Sequence, residues 1–346
     1  MDYFFWDFDK KCKENNIEID WFFPNTANHG SYSDLTIYSD INASVENNFL
    51  SFCKQNKTDY AFVITHFVEL CTPFFSAVKK ISNVTIIAVD HNPRPLNGYS
   101  FKKRINKRLK GIFFSKYIDV FIGVSNYTVK AILKDFGSHL KSKSKTIYNG
   151  VILDSILVRE LRNIVKPGFL VASHLRESKG IQDLIDAVNG LPTFIKNEIK
   201  ISIYGDGPYK QDLIEKVKHY GLENCFDFKG SKANLNEIFS QYDYMLQPTH
   251  MECFSLSILE SLAANVPVIT TDVGGNTEVI SDAENGYIFE TKNIKSLTAI
   301  LEDVYLGKKK ISVNTRELIA NCFSLPKMVE NHLKLILEET NNFKIS

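Results

Sequence analysis

Glu252 and Glu260 stand eight residues apart around Cys253-Phe254-Ser255-Leu256, and the second lies in an apolar, alanine-rich run closing at Asn265-Val266-Pro267. The spacing predicts a helix from about Ser255 to Ala264, with one carboxylate just before it and the other inside it. Backbone N–H groups at a helix start can take a diphosphate. At about 1.5 Å rise per residue, a glutamate five positions in sits roughly 7–8 Å from that start. A ribose diol fits at that distance, so the pair could hold a sugar nucleotide by both ends. The plainer reading makes Ser257 and Glu260 a capping box. It leaves Glu252, outside the helix, unexplained.

Three further turns carry residues of the same chemical kind. Arg176 and Lys179 precede Gly180 at the opening of a predicted helix over 180–188, where cations and helix N–H groups could clamp phosphate together. They could equally be solvated loop charges. Gly205-Asp206-Gly207-Pro208 reads as strand, glycine turn and helix, with Pro208 suited to the first helical turn. Gly274-Gly275 supplies another permissive turn after a strand.

The elements that must position these residues alternate along the chain. Strands are predicted at 17–23, 35–38, 60–65, 84–90, 119–125 and 146–148. After a charged join at 160–168 a second set follows at 169–172, 199–204, 225–229, 244–247, 267–270 and 287–289. Helical patterns fall between, among them 181–188, 209–219 and 235–240. Apolar strand runs separated by amphipathic helices predict parallel sheets covered on both faces. Two such sets predict two doubly wound, Rossmann-like α/β domains facing across a cleft, with ligands at the carboxyl ends of the strands.

Composition narrows the function classes. The 346 residues are 44% hydrophobic and carry a formal net charge of +1, which fits two globular cores and no general polyanion binder. Residues 1–160 hold 21 Lys/Arg against 16 Asp/Glu, and the rest 20 against 24. The six cysteines form no C-x-x-C pair and no zinc spacing, which reads as reduced thiols in a cytoplasmic protein. Asp2, Asp7 and Asp9 interrupt the aromatic start, unlike a secretory signal, and no apolar run is long enough to span a membrane. No Gly-x-Gly-x-x-Gly follows a strand with an acid about 20 residues on, which disfavours a dehydrogenase.

The order Lys179-Gly180, Gly205-x-Gly-Pro208, Phe228-Lys229-Gly230, Glu252-x7-Glu260, Pro267-Val268-Ile269, Gly274-Gly275 and Asn285-Gly286 resembles family 4 of the glycosyltransferases, retaining enzymes of GT-B fold. The resemblance is nearest to bacterial enzymes of capsule, exopolysaccharide or lipopolysaccharide synthesis. It implies a nucleotide-diphosphate-sugar donor, no metal or other cofactor, and transfer with the anomeric configuration kept. Lys179 would then bind the donor diphosphate together with the backbone of Ser255, Leu256 and Ser257. Glu252 would meet the donor sugar at its reacting face, and Glu260 the ribose hydroxyls. Gly205 and Arg176 would belong to the same donor site. The family usually has an arginine five residues before this lysine; here that position is His174, and Arg176 stands two residues on. The domains implied are an acceptor domain over 1–160, a donor domain over 161–325, and a C-terminal helix at 326–340 returning to the first.

In the first domain, Val89-Asp90-His91-Asn92-Pro93 ends a strand, and His91 resembles the family's strand-end histidine facing the donor sugar. The segments at 122–127 and 147–151 resemble the stretch that follows and the hinge to the second domain. His66, closing another strand, is a weaker candidate on the acceptor side. Eight Lys/Arg and no acid fall between His91 and Ile118, with Phe101, Ile105, Leu109, Ile112 and Phe113 at near-helical spacing. Such a helix can lie on an anionic bilayer through residues 101–116, or be an ordinary helix with its stripe in the core and its lysines in water. Nucleic acid is a poor partner, because stacking aromatics and grooves are not indicated.

The chain opens on a helical pattern at 1–14 where the family has a strand and a glycine-rich loop, so the first strand of that domain is expected to be missing, either because the true start lies upstream or because the chain is naturally shortened. The expected function is transfer of a hexose or N-acetylhexosamine from a UDP- or GDP-sugar to a glycan or lipid-linked oligosaccharide. The place is cytoplasmic, peripheral to the inner face of the membrane. Alternatives are a nucleotide-sugar 2-epimerase of the same fold, or a catalytically impaired nucleotide-sugar-binding protein.

Overall fold

The computed structural model describes residues 1–27, 29–160 and 166–345, with side chains to residue 340. Most of the predicted join at 160–168 lies outside these. The chain divides into two compact units: Met1–Asn92, Tyr99–Asn149 and Leu325–Ser346 in the first, Pro93–Gly98 and Gly150–Ser324 in the second.

The first unit begins α1 (Asp2–Glu14), β1 (Asp20–Phe23), β2 (Thr36–Ser39), α2 (Val45–Asn56), β3 (Phe62–His66) and α3 (Pro73–Ile81). It continues β4 (Thr85–Asp90), α4 (Phe101–Phe114), β5 (Val120–Gly123), α5 (Asn126–Phe136) and β6 (Ser144–Thr146). In the second unit come β7 (Phe169–Ala172), α6 (Ile181–Asn189), α7 (Thr193–Lys196), β8 (Ile201–Tyr204), α8 (Lys210–His219) and β9 (Phe226–Gly230). Next are α9 (Leu235–Ile238), β10 (Tyr244–Gln247), α10 (Leu256–Ala263), β11 (Val268–Thr271) and β12 (Gly286–Phe289). α11 (Ile294–Tyr305) and α12 (Arg316–Cys322) complete it, and α13 (Leu325–Ile345) belongs to the first unit.

All strand pairs are parallel, as apolar runs bounded by helices require. The second unit holds one sheet in the order β12-β11-β10-β7-β8-β9. β7, β10 and β11 are buried along their whole length. α6 turns Ile181, Leu184, Ile185 and Val188 onto this sheet. Each such buried aliphatic side chain contributes about 1.5–3 kcal/mol.

The first unit is split. β1 pairs with β2, and β3-β4-β5-β6 form a separate sheet, so the ladder is interrupted between β1 and β3. Aromatic rings of α1 span the break instead: Phe5 lies 5.2 Å from Trp21 and 5.3 Å from Phe23 on β1, and 5.9 Å from His66 on β3. From the other end of the chain, α13 sets His332 4.8 Å from Phe4.

Three expectations change in detail. The part of the first unit before α13 runs to Asn149 rather than 160, because the following segment is bonded within the second unit. Leu157 N–H donates to Asn236 O, and Arg159 pairs with Asp243. Pro208 precedes α8, which starts at Lys210 after Tyr209 as N-cap, so it is a turn residue. The apolar stripe of α4 is not in the core: only Gly111 of that helix is buried.

Candidate active site

The strand order of the second unit places its switch point between β7 and β10, neighbours whose following chains turn in opposite directions along the sheet. Ligands of doubly wound sheets sit at the carboxyl ends of the strands at that point. The loop after β7 carries Arg176 and Lys179, and the loop after β10 carries Glu252.

Glycines let these loops touch. Gly180, at φ +69° and acting as N-cap of α6, lies so close to Pro248 that an added Cβ would fall 1.8 Å from its carbonyl oxygen. The junction is then tied: His250 N–H donates to Ser178 O at 2.8 Å, and His250 Nε2 lies 2.6 Å from Asp183 Oδ2. At Gly205, φ +132°, a Cβ would stand 1.9 Å from Ser173 O, so the Gly-x-Gly turn serves backbone approach next to the same loop. Gly180→Ala is expected to lower the melting temperature and weaken donor binding three- to tenfold, since a strained φ and a backbone clash together cost on the order of 1–3 kcal/mol. Thermal melts and titration calorimetry read both.

This junction brings Lys179 Nζ to 2.9 Å from Glu252 Oε2. Both side chains are largely buried. Glu252 is held on two more sides: Cys253 N–H donates to Oε1 at 3.1 Å, and Gln247 Nε2 lies 3.4 Å from Oε2. Gly275 N–H donates to Cys253 O, which seats the Gly274-Gly275 turn against the Glu252 segment.

Ser255 is the N-cap of α10, its Oγ accepting from Ile258 N–H at 3.4 Å, with Ser257 Oγ 3.1 Å away. The capping-box reading of Ser257 and Glu260 therefore fails, because the cap is two residues earlier. Leu256 and Ser257 fall in the first turn, where N–H groups have no carbonyl within the helix to bond. Glu260 is half-buried, and among the described residues its carboxylate has no hydrogen-bond or ion-pair partner. Burial pushes its pKa up to about 7. An unpaired, poorly solvated carboxylate suits a group that receives hydroxyls from a ligand.

Lys179, Glu252, Ser255, Leu256 and Ser257 thus gather at one sheet edge, with Glu260 farther along the same helix. Arg176 is exposed and pairs with nothing among the described residues; His174 is exposed as well. Sequence reasoning missed Gln247, whose amide donates to Ser255 Oγ at 2.8 Å as it approaches Glu252. Its one signal is a polar residue closing an apolar strand.

In the first unit, His91 follows β4 and is buried, with its Nε2 3.0 Å from His66 Nδ1 and Phe67 stacked on it at 4.3 Å. Burial lowers its pKa to about 4, and His66 is pushed well below the ordinary histidine range by burial and by His91. Both rings are neutral at pH 7. His66, expected on the acceptor side, is a direct neighbour of His91, and His332 of α13 lies 6.0 Å from His66.

Among the described residues no three His, Cys, Asp or Glu are grouped to hold a metal, and no helix is long and apolar enough to cross a membrane. The family model described as "Glycosyl transferases group 1" matches residues 159–317. N-acetyl-alpha-D-glucosaminyl L-malate synthase of Bacillus anthracis is 29% identical over 180 residues, 50% of this chain and 46% of that protein. An N-acetylgalactosaminyltransferase of Campylobacter jejuni, acting on N-acetylgalactosamine-N,N'-diacetylbacillosaminyl-diphospho-undecaprenol, is 27% identical over 285 residues, 79% of this chain and 76% of that one. The chain spans about half or less of several other relatives. Among solved structures, the lipopolysaccharide outer core galactosyltransferase WaaB superposes with a TM-score of 0.73 at 18% identity, over 97% of this chain and 94% of that one. Anabaena HepE in complex with UDP-glucose gives 0.72 at 16%, over 98% and 95%. The fold is GT-B, and residues 159–317 match the group 1 glycosyl transferase model.

Proposed function

We propose that this chain is a retaining, metal-independent glycosyltransferase of family 4. It moves a hexose or N-acetylhexosamine from a UDP- or GDP-sugar to a glycan or lipid-linked acceptor in bacterial surface polysaccharide synthesis. The observation that carries the reading is the Lys179–Glu252 pair, 2.9 Å apart, set before α10 at the switch point of the sheet. The unpaired Glu260 lies one turn and more beyond it. The UDP-glucose held by HepE and the undecaprenol-linked acceptor named for the Campylobacter relative support the donor and acceptor classes.

In this reading the diphosphate docks on the first-turn N–H groups of Leu256 and Ser257, and Lys179 faces it. Arg176 swings from solvent to add charge. Cleavage of the anomeric C–O bond leaves its electron pair on the diphosphate, and a preorganised cation with helix dipoles stabilises that charge. The acceptor hydroxyl forms the new C–O bond on the same face and passes its proton to the departing phosphate oxygen. Glu252, fixed by Lys179 and Cys253, meets the sugar at the reacting face. His91 is neutral, so it serves as a hydrogen-bond partner for a sugar hydroxyl rather than as an acid. Gly205 walls the donor site.

Titration calorimetry against UDP- and GDP-sugars is expected to give one donor with a Kd on the order of 1–100 μM, unchanged by a chelator. Donor incubated alone should yield no epimerised sugar, and transfer should need an acceptor. A new sugar formed without acceptor would assign the 2-epimerase activity instead. Donor binding with no turnover on any acceptor would assign an impaired binding protein.

A further inference from the structure

α4 presents its apolar face to solvent. At about 100° per residue, Phe101, Ile105, Leu109, Ile112 and Phe113 fall within an arc of roughly 120°. All five are exposed, Phe101 at 77%, Phe113 at 61% and Ile112 at 58%. The opposite side of the helix is the one that packs. A Cβ on Gly111 would lie 2.0 Å from Phe136 O of α5, and Lys107 on that side pairs with Asp135 at 3.2 Å. The lack of a side chain at Gly111 lets the two helices meet, which fixes the apolar arc outward.

The charges around the arc select its partner. The segment from His91 to Ile118 carries eight Lys/Arg and no acid. Lys107 and Lys110 are used within the fold, Lys110 lying 2.6 Å from Glu69. Lys103 lies over the Tyr99 ring at 4.5 Å. Lys102 stands near the Phe113 edge of the apolar arc and Arg104 about 60° beyond its Phe101 edge, both exposed and with no ion-pair partner among the described residues. An apolar arc rimmed by cations matches a bilayer with anionic headgroups, where the rings enter the acyl boundary and the cations meet phosphate. A nucleic acid would meet its charges at the rim and hydrocarbon at the centre. A second copy would set two cationic rims against each other.

We propose that α4 is a docking face for an anionic lipid surface, with Phe101, Ile105, Leu109, Ile112 and Phe113 as the inserted residues and Lys102 and Arg104 as headgroup contacts. None of these residues is assigned to the donor site, so binding can be measured without transfer.

The full chain is mixed with sedimentable vesicles of phosphatidylcholine, with or without about 30 mol% phosphatidylglycerol. The bound fraction is expected to be at least tenfold higher with the anionic lipid, and to fall severalfold between about 0.1 and 0.5 M salt. The triple variant Phe101→Ser, Ile112→Ser, Phe113→Ser should lose at least tenfold in partitioning at an unchanged melting temperature, because these side chains are exposed. The pair Lys102→Glu, Arg104→Glu should abolish the preference for anionic lipid. No binding to anionic vesicles, equal binding to both lipids, or wild-type binding by the triple variant would overturn the proposal. So would a wild-type dimer that the triple variant converts to monomer without any vesicle binding, since the occupant would then be a second copy. Each of these failures leaves the donor site where it is.

Discussion

Lys179→Ala is expected to lower the rate of sugar transfer at least tenfold, and by as much as ~10²–10³, the range seen when one preorganised stabiliser of a developing oxyanion is removed. Two effects act together. In the proposed donor site the leaving diphosphate would lose its nearest cation, and Glu252 is left as a poorly solvated carboxylate without its partner at 2.9 Å. That carboxylate then repels the charge that builds on the phosphate. Glu252→Gln should also lose at least tenfold, for a different reason: the amide is neutral toward the positive anomeric carbon and binds Lys179 more weakly. Because the two side chains touch, their losses should not multiply in the double variant. Initial rates with the donor identified by calorimetry decide this. Full activity in both single variants would remove the site from this sheet edge, whereas a loss confined to KM would assign Lys179 to ground-state binding alone.

Much of this arrangement was legible in the sequence, and the part that was not has a common cause. The fully buried strands β7, β10 and β11 read as short apolar runs because both faces of a parallel sheet are covered. The start of α10 was legible too, from serines ahead of an apolar run. What local pattern cannot carry is adjacency. Lys179 and Glu252 are 73 residues apart and meet only because β7 and β10 are neighbours. Gln247 touches Glu252 and Ser255, five and eight residues on, because the loop after β10 folds back over the end of that strand. The His66–His91 contact depends on β3 beside β4, and His332 reaches His66 only through the return of α13. α4 shows the converse limit: its periodicity marked an apolar stripe, but periodicity alone does not say which side packs. Gly111 against α5 does.

Glu260→Gln is expected to stabilise the free protein at pH 8 and to weaken donor binding about tenfold or more. The carboxyl group has its pKa raised by burial from 4.5 to about 7. Between those values the folded chain holds a proton that the unfolded chain has released, so stability falls as pH rises through the window from about 4.5 to 7. The full penalty is then present above pH 7, at most roughly 3 kcal/mol. Glutamine has no such titration. Wild type and variant should therefore melt alike near pH 4.5, and the variant should melt higher at pH 8; subtracting the two curves cancels every other titrating group. If Glu260 meets the ribose as proposed, a nucleotide should reverse the ranking, because ribose hydroxyls would donate to the ionised carboxylate and offset its burial, so the ligand-induced shift in wild type should grow with pH through 7. The amide can accept at one atom only and leaves a hydroxyl short of its partner. Parallel pH–melting curves together with equal donor affinity would mean that Glu260 is neither unpaired in the fold nor met by the nucleotide. A stabilising substitution that costs affinity identifies instead a residue kept for its ligand against the interest of the fold.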